Sequence, residues 1–152
     1  MLHPREHALC EDWLEQIQES GYRLTGPRRV IVELLAHSPR AMSPLELYDM
    51  GRQEYKNLGL VTVYRTLEKL ESLDLIQRVH QNSGCHMYLR AANGHEHILL
   101  CTGCGQVQYF GGDNLAELIE STAKQSGFTI YEHWLQLNGL CSVCQEKLQA
   151  RL

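Results

Sequence analysis

Two cysteine pairs constrain this chain more than any other feature of its sequence. They are Cys101 with Cys104, and Cys141 with Cys144. Thiolates two residues apart can bind one side of a tetrahedral metal ion, and two such pairs complete a structural zinc site. Disulfides or a redox dithiol are the alternatives, but two pairs separated by an insert the size of a helix and a strand favour one shared zinc ion. Four thiolates leave no open coordination position, so this site is predicted to hold the fold together and not to sense metal.

Length and composition indicate an ordinary globular protein. The 152 residues suffice for one domain or two small ones, and the apolar fraction is 43%. No stretch approaches the roughly 18 apolar residues of a membrane span, and the N-terminus lacks the apolar region of a signal peptide, so we expect a cytoplasmic protein without a membrane partner. In a reducing compartment, six cysteines are better explained by metal than by disulfides.

The net charge of −4 does not by itself indicate nucleic-acid binding. Residues 1–90 hold 11 of the 14 Lys and Arg residues and 12 of the 18 Asp and Glu residues. The negative excess therefore lies mainly after residue 90. If DNA is bound, we expect a local basic patch in the first part of the chain to bind it.

Apolar periodicity predicts four helices in the first half of the chain. Gly21 ends the first, Thr25 is placed to cap the second, and Ser43 with Glu46 forms a capping box for the third. The side chains available for burial are, helix by helix, Leu9, Trp13, Leu14 and Ile17; Val30, Ile31, Leu34 and Leu35; Leu45, Leu47, Tyr48 and Met50; Val63, Leu67, Leu70 and Leu73.

The fourth helix, residues 60–73, has the pattern of a DNA recognition helix. Its exposed face is predicted to begin with a run of polar and aromatic side chains: Thr62, Tyr64, Arg65 and Thr66. Tyr64 could instead pack partly against a following hairpin, which is predicted from strands at 75–80 and 85–90. A helix-turn-helix followed by a hairpin is a winged helix.

Arg28 and Arg29 lie in the first turn of the second helix, where cations oppose the helix dipole. A nearby DNA phosphate would explain them, and a solvated basic pair is the alternative.

The remainder of the chain is predicted to be a small α/β domain. Strands are expected at 95–100, 106–110 and 128–137, and a helix capped by Asp113 is expected to turn Leu115, Leu118 and Ile119 inward. Residues 91–94 are small and flexible, which predicts a hinge between domains 1–90 and 95–152. The predicted fold class is therefore α+β: an N-terminal winged helix-turn-helix DNA-binding domain, then a small α/β domain with a four-cysteine zinc site.

Four ordered motifs resemble the ferric uptake regulator family, from about residue 14 to about residue 148. They are GYRLTGPRR from Gly21, TVYRTL from Thr62, HEHILLCTGCG from His95 and GLCSVC from Gly139. The resemblance implies a homodimeric, metal-dependent repressor of metal-uptake or metal-homeostasis genes, with a DNA-binding winged helix and a dimerisation domain. Its implied partner is double-stranded DNA with an A·T-rich palindromic operator. Within the family, the chain most resembles a zinc uptake regulator.

The resemblance also assigns DNA contacts. Arg23 matches a basic residue that enters the minor groove, and Tyr64 with Arg65 matches the base-contacting pair of the recognition helix. The predicted DNA-binding residues are Arg23, Arg28, Arg29, Thr62, Tyr64 and Arg65.

The regulatory metal positions match less well. The usual hinge ligands fall on Ala41, Leu89, Glu96 and Ile98, so most of that site is missing. A second family site falls on His95, His97, Ala116 and His133, with Glu117 next to the lost fourth ligand. We expect His95 and His97 on one face of a strand and His133 on a second strand of the same sheet, although each histidine alone could be an ordinary polar residue.

A relocated hinge site is a further hypothesis. His80 and Cys85 are expected to face each other across the hairpin turn, and His86 and Glu96 could complete a metal site with them. The alternative is a hairpin tip whose polar residues touch only DNA or solvent.

Imidazole and thiolate ligands favour zinc as the sensed metal, with Zn²⁺ or Fe²⁺ in the regulatory site and an iron- or peroxide-sensing regulator as the alternative. A zinc enzyme is disfavoured, because His95-Glu96-His97 matches neither a helical HExxH motif nor the HxE deaminase motif. An interaction module that zinc merely stabilises is the remaining alternative.

Overall fold

The protein divides into two compact units in a computed structural model that describes residues 4–80, 84–94, 96–112 and 115–151. One unit is Met1–Ala91 and the other is Ala92–Leu152.

The first unit contains four helices and a hairpin, as the periodicity predicts. The helices are α1 (Pro4–Glu19), α2 (Gly26–Ala36), α3 (Pro44–Glu54) and α4 (Leu60–Ser72). The strands β1 (Ile76–His80) and β2 (His86–Arg90) pair antiparallel. An isolated bridge between Met42 and Tyr88 ties this hairpin to the residue before the cap of α3. The connections give the helix-turn-helix and wing arrangement.

The capping box at α3 is present in full. The Ser43 hydroxyl accepts a hydrogen bond from the Glu46 backbone N–H, and the Glu46 carboxylate accepts one from the Ser43 N–H at 2.8 Å. Arg40 also donates to Glu46 at 2.8 Å. Burial raises the pKa of Glu46, but the Ser43 N–H and the Arg40 guanidinium outweigh that effect and lower the pKa below its ordinary value. The start of α3 is therefore fixed by local chemistry.

The core of the first unit lies between the four helices and the hairpin. Among its most buried members are Trp13, Ile17, Ile31, Val32, Leu35, Leu47, Val63, Leu67, Leu70 and Ile76. Two residues expected to pack from α3 do not: Leu45 is 59% exposed and Met50 is 41% exposed. Thr66, expected on the exposed face of α4, is buried, because its hydroxyl donates to the Thr62 carbonyl 2.7 Å away and so needs no water.

The second unit is built on a three-stranded sheet. Its strands are β3 (His97–Cys101), β4 (Val107–Phe110) and β5 (Gln136–Gly139), and its helices are α5 (Leu115–Ser126) and α6 (Ser142–Gln149). The strand order is β4-β3-β5, with β3 antiparallel to β4 and parallel to β5. The predicted cap of α5, Asp113, lies outside the described residues.

The predicted strand at 128–137 is mostly wrong. Pairing begins only where the Ile98 N–H donates to the Leu135 carbonyl at 3.1 Å, and β5 starts one residue later. Residues 128–134 alternate in polarity as a strand does, but they have no assigned strand partner within the described chain. Tyr131 is 92% exposed and Phe128 is 74% exposed. Alternation alone cannot make a strand without a neighbour to accept its hydrogen bonds.

The apolar face of α5 is only partly covered by the rest of the described chain. Leu118, expected to point inward, is 60% exposed, and α5 contributes no buried residue among those described. This leaves apolar surface for another molecule to cover.

Replacement of Ser43 by alanine should lower the free energy of unfolding by about 1 kcal/mol, because the substitution leaves a helical N–H without its acceptor. Thr25→Ala is the matched control, since Thr25 occupies the N-cap of α2 without a side-chain cap hydrogen bond. We expect a clearly smaller loss there. Denaturant titration of both full-length variants, followed by circular dichroism, measures the difference. Equal losses at the two caps would contradict the assignment.

Candidate metal centre and nucleic-acid interface

The four cysteines of the two pairs converge in the second unit. Cys101 ends β3, Cys104 follows in a turn, Cys141 caps α6 and Cys144 lies in the first turn of that helix. Their sulfur atoms all lie within 4.8 Å of one another, and the Sγ atoms of Cys104 and Cys141 are 3.8 Å apart. Sulfurs at about 2.3 Å from a tetrahedral zinc ion are themselves about 3.8 Å apart. The cluster therefore has the dimensions of a four-thiolate zinc site.

Backbone hydrogen bonds shape this cluster. The Cys141 N–H donates to the Cys101 sulfur at 3.3 Å, and the Gly105 N–H closes the turn onto the Cys101 carbonyl at 2.9 Å. Gly105 has a φ of +76°, a backbone conformation that favours glycine. A Cβ on Gly103 would lie 2.9 Å from the Cys144 sulfur, so a side chain there would displace a ligand. Sequence reasoning missed Gly103, and only its place between two ligands could have suggested it.

The electrostatics of the cluster suit a cation. Burial raises the pKa of the Cys101 thiol, but backbone N–H groups of Cys141, Cys104 and Gly103 outweigh it and lower that pKa to about 6. The neighbouring Cys141 thiol, with burial and the other two sulfurs, raises the pKa of Cys144 to about 12. Four sulfurs this close resist carrying four negative charges unless a divalent ion is bound. The donor set thus suits a structural zinc ion, and it would leave no position open for substrate.

Two of the three predicted regulatory histidines lie side by side. His97 is the first residue of β3 and is 2% exposed, and its ring centroid lies 5.7 Å from that of His133 and 5.4 Å from that of Phe110. The expected position of His133 on a strand is wrong, because β5 starts at Gln136. His133 reaches His97 from the irregular segment before β5. The third histidine, His95, lies outside the described residues.

The carboxylate predicted to complete this site is not the best placed. Glu117 is exposed in the first turn of α5. A cleft beside His133 is lined instead by the α5 residues Ala116, Ile119, Glu120 and Ala123 and by residues 128–130. These four follow the i, i+3, i+4, i+7 pattern of one helix face, and Glu120 lies one turn after Ala116. The helical spacing from Ala116 is the signal that would have indicated Glu120.

In the part of the chain that the structure describes, the four cysteines are the only group of three or more His, Cys, Asp and Glu residues with ligand atoms close enough for one metal ion. Glu120 is held by Lys124 at 2.7 Å in an exposed ion pair. A metal site at His97 and His133 would therefore need a further ligand. That ligand would be His95, or Glu120 after its side chain has rotated away from Lys124.

The hairpin cluster has a different register from the predicted one. His80 pairs with His86, and Cys85 lies before β2 as an exposed free thiol. The expected pairing of His80 with Cys85 is therefore wrong by one position. Glu96 lies in the second unit, where its carboxylate accepts a hydrogen bond from the Asn93 N–H at 3.0 Å. Metal binding by His80, Cys85, His86 and Glu96 stays a prediction.

The predicted DNA-binding residues gather on the first unit. Arg23, Tyr64 and Arg65 are exposed, and Tyr64 keeps 45% of its surface accessible, so it is not buried against the wing. Arg28 donates to the Arg23 carbonyl at 2.5 Å, which fixes its guanidinium beside the connector between α1 and α2. The Arg29 guanidinium instead lies 3.8 Å from the Glu33 carboxylate. Thr62 is half-buried and its carbonyl accepts the hydrogen bond of Thr66.

The comparison with known families decides the identity of the fold. Residues 19–138 match the model of the ferric uptake regulator family. The chain belongs to the ferric uptake regulator family. Among curated relatives, the ferric uptake regulation protein of Neisseria meningitidis is 33% identical over 136 residues, which are 88% of this chain and 94% of that protein. The zinc uptake regulation protein of Mycobacterium tuberculosis is also 33% identical, over 126 residues, 83% of this chain and 97% of that protein.

Solved structures agree on the fold. A zinc uptake regulator complexed with zinc and DNA superposes with a TM-score of 0.70 at 20% identity, covering 97% of this chain and 99% of that one. The α+β fold, with its winged helix and four-cysteine cluster, is thus confirmed.

Family membership settles the class of function. The chain is a metal-responsive transcription regulator and not an enzyme. Regulators of this family bind DNA and form dimers, and the uncovered apolar side chains of the second unit suit a dimer. Among the described residues, no helix is long and apolar enough to cross a membrane.

Replacement of Cys141 by serine should remove the zinc that resists mild chelation, about one ion per chain, and should lower the thermal stability of the protein. Cys85→Ser is the control, since Cys85 is exposed and lies in the other unit. Metal analysis after dialysis against a chelator, with thermal melting, gives the readout. Zinc retained in Cys141→Ser, or lost equally from Cys85→Ser, would contradict the assignment.

Proposed function

We propose that this chain is a cytoplasmic, zinc-responsive repressor that binds an A·T-rich palindromic operator as a homodimer. The relatives do not indicate which metal is sensed, because a ferric uptake regulation protein and a zinc uptake regulation protein are each 33% identical to this chain. The choice rests on the ligands that this chain offers. The single observation that carries it is the His97 and His133 pair.

The spacing of these imidazoles supports a shared metal ion. Two imidazoles on one tetrahedral zinc ion, each with a Zn–N bond of about 2.0–2.1 Å, hold their ring centres roughly 5 Å apart. The rings of His97 and His133 are 5.7 Å apart, so a small approach would suffice. His97 is 2% exposed, and a buried imidazole is already shielded from the water that would compete for the metal.

We assign His95, His97 and His133 as the regulatory ligands, with Glu120 in place of Glu117 as the carboxylate. Glu120 shares the cleft beside His133, and the ion pair that holds it is exposed and of the i, i+4 type. Such pairs contribute about 0.3–0.5 kcal/mol. A metal–carboxylate bond can therefore release Glu120 from Lys124 at little cost. Three imidazoles and one carboxylate form a set that Zn²⁺ accepts readily.

The similarity to known relatives supports an iron-responsive regulator as well as a zinc-responsive one. The metal ligands that this chain offers support iron less than zinc. Fe²⁺ also accepts imidazoles, yet the hinge positions that commonly carry family ligands are occupied here by the apolar residues Ala41 and Leu89, which are both buried. Neither side chain can bind a metal ion. The regulatory site of this chain would thus be rich in histidine and poor in carboxylate.

The function is tested by measuring operator binding of protein that retains the four-cysteine zinc but has lost its exchangeable metal. We expect that Zn²⁺ restores binding to A·T-rich palindromic promoter DNA at lower free concentration than Fe²⁺ does under anaerobic conditions. His133→Ala should weaken that response and leave the fold intact. Restoration by Fe²⁺ alone would favour the iron regulator, and binding that ignores metal would overturn both forms of the proposal.

The carboxylate assignment is tested by a matched pair of variants on one helix. Glu120→Gln should weaken binding of the exchangeable zinc by about tenfold or more, as loss of a metal-site partner typically does. Glu117→Gln should leave it near that of the original protein. Competition titration with a fluorescent zinc chelator measures both affinities. The opposite ranking of the two variants would return the role to Glu117.

A further inference from the structure

Tyr22 is the centre of a cluster of cations that the sequence did not suggest. The guanidinium carbon of Arg28 lies 4.3 Å from the centre of the Tyr22 ring, and the Lys69 ammonium lies 5.8 Å from it. The Tyr22 hydroxyl donates to the Arg65 carbonyl at 3.4 Å. Cations within about 6 Å of an aromatic ring are attracted by its electron-rich face. One aromatic side chain thus joins the α1–α2 connector, the start of α2 and the recognition helix.

The ring is held in place before any ligand arrives. Tyr22 is half-buried and packs against the core, and its N–H donates to the Ile17 carbonyl at 3.3 Å just after α1 ends. Arg28 is fixed a second time by its hydrogen bond to the Arg23 carbonyl. The Tyr22 ring and the Arg28 guanidinium are therefore ordered by the fold, which reduces the entropy lost when they bind an anion.

The cluster has no negative partner among the residues that the structure describes. Within the described ranges, neither Arg28 nor Lys69 forms an ion pair with a carboxylate. Other arginines of the same unit do: Arg29 pairs with Glu33, Arg40 with Glu46 and Arg78 with Glu71. Lys69 also follows Arg65 by one helical turn, a like-charge spacing that is unfavourable without an anion. The fold pairs those three arginines with carboxylates and leaves Arg28 and Lys69 available.

We propose that Arg28 and Lys69 together bind one phosphate of the DNA backbone, and that Tyr22 is the positioning residue that holds them for it. The inference rests on the DNA-binding function proposed above and adds Tyr22 and Lys69 to the interface. Lys69 lies on α4 one turn after Arg65, so a phosphate at this cluster flanks the groove that the recognition helix would enter. Phosphate contacts of this kind fix orientation, and base contacts give the sequence preference. Arg29, paired with Glu33, is not part of the contact.

The test uses the full-length, metal-saturated dimer and the salt dependence of its DNA affinity. Lys69→Gln removes one of the two cations at each of the two phosphates in the dimer, so the slope of log K against log salt should become shallower, by at most about 1.8. Between 50 and 200 mM salt, the affinity ratio of original to variant protein should fall by at most about 12-fold. The loss should be the same on operator and on random duplexes. Lys147→Gln, an exposed helical lysine of the other unit, is the control and should change nothing.

Tyr22 variants separate its ring from its hydroxyl. Tyr22→Phe keeps the aromatic face and should keep the original slope, whereas Tyr22→Leu should shift the slope toward that of Lys69→Gln. Arg65→Ala is the comparator and should lose more affinity on the operator than on random DNA.

An unchanged slope in Lys69→Gln, with metal content and melting temperature intact, would overturn the phosphate assignment while leaving the DNA-binding function in place. Absence of DNA binding by the original protein would overturn both. Lys69 lies on a helix surface, so we expect Lys69→Gln to fold. The salt dependence of that variant tests the proposal even if Tyr22→Leu does not fold.

Discussion

The second unit depends on the link between the end of β3 and the start of α6 that the four cysteines form. Few of its side chains are buried: among the described residues the best shielded are His97, Ile98, Leu100 and Cys101, all of them on one strand. A unit of about 60 residues buries too little apolar surface to be more than marginally stable alone. A zinc ion that joins two loops would add stability that this small core does not provide. A second chain that covers the exposed apolar face would add the remainder.

This arrangement couples the structural site to the proposed regulatory site. A strand of five residues carries Cys101 at one end and His97 at the other, so the two positions lie roughly 13 Å apart along a backbone that is paired on both sides. The strand is therefore a rigid connection, and the four-cysteine site fixes one of its ends. Movement on metal binding is then left to the partners of His97, namely the irregular segment that carries His133 and the exposed face of α5. Both are held by few buried contacts, as elements that respond to a ligand generally are.

Features that depend on residues close in sequence could be predicted from the sequence. Features that depend on contacts with distant parts of the chain could not. The capping box at Ser43 and the helices α1 to α5 depend on residues close in sequence, and they were predicted, whereas α6 after the second cysteine pair was not. The alternation at 128–134 was misread because a strand exists only where a partner accepts its hydrogen bonds. The backbone of His80 pairs with His86 and not with Cys85, because hairpin register is set by the turn and the pattern of pairing, which composition does not reveal. Glu117 was chosen by adjacency to Ala116, whereas a helix places the residue four positions later on the same face.

The distribution of ion pairs explains how an acidic chain can bind DNA. With a net charge of −4, the protein has little general attraction to a polyanion, and three arginines of the first unit are already paired with glutamates. Attraction then comes from the cations without such partners, including those around Tyr22 and on the exposed face of α4. Non-specific affinity grows with the number of phosphates neutralised, so a small patch keeps it low. Base contacts from Tyr64 and Arg65 would then contribute a larger share of the total, and a dimer that presents two such patches at the correct spacing would be favoured over a single subunit bound at random.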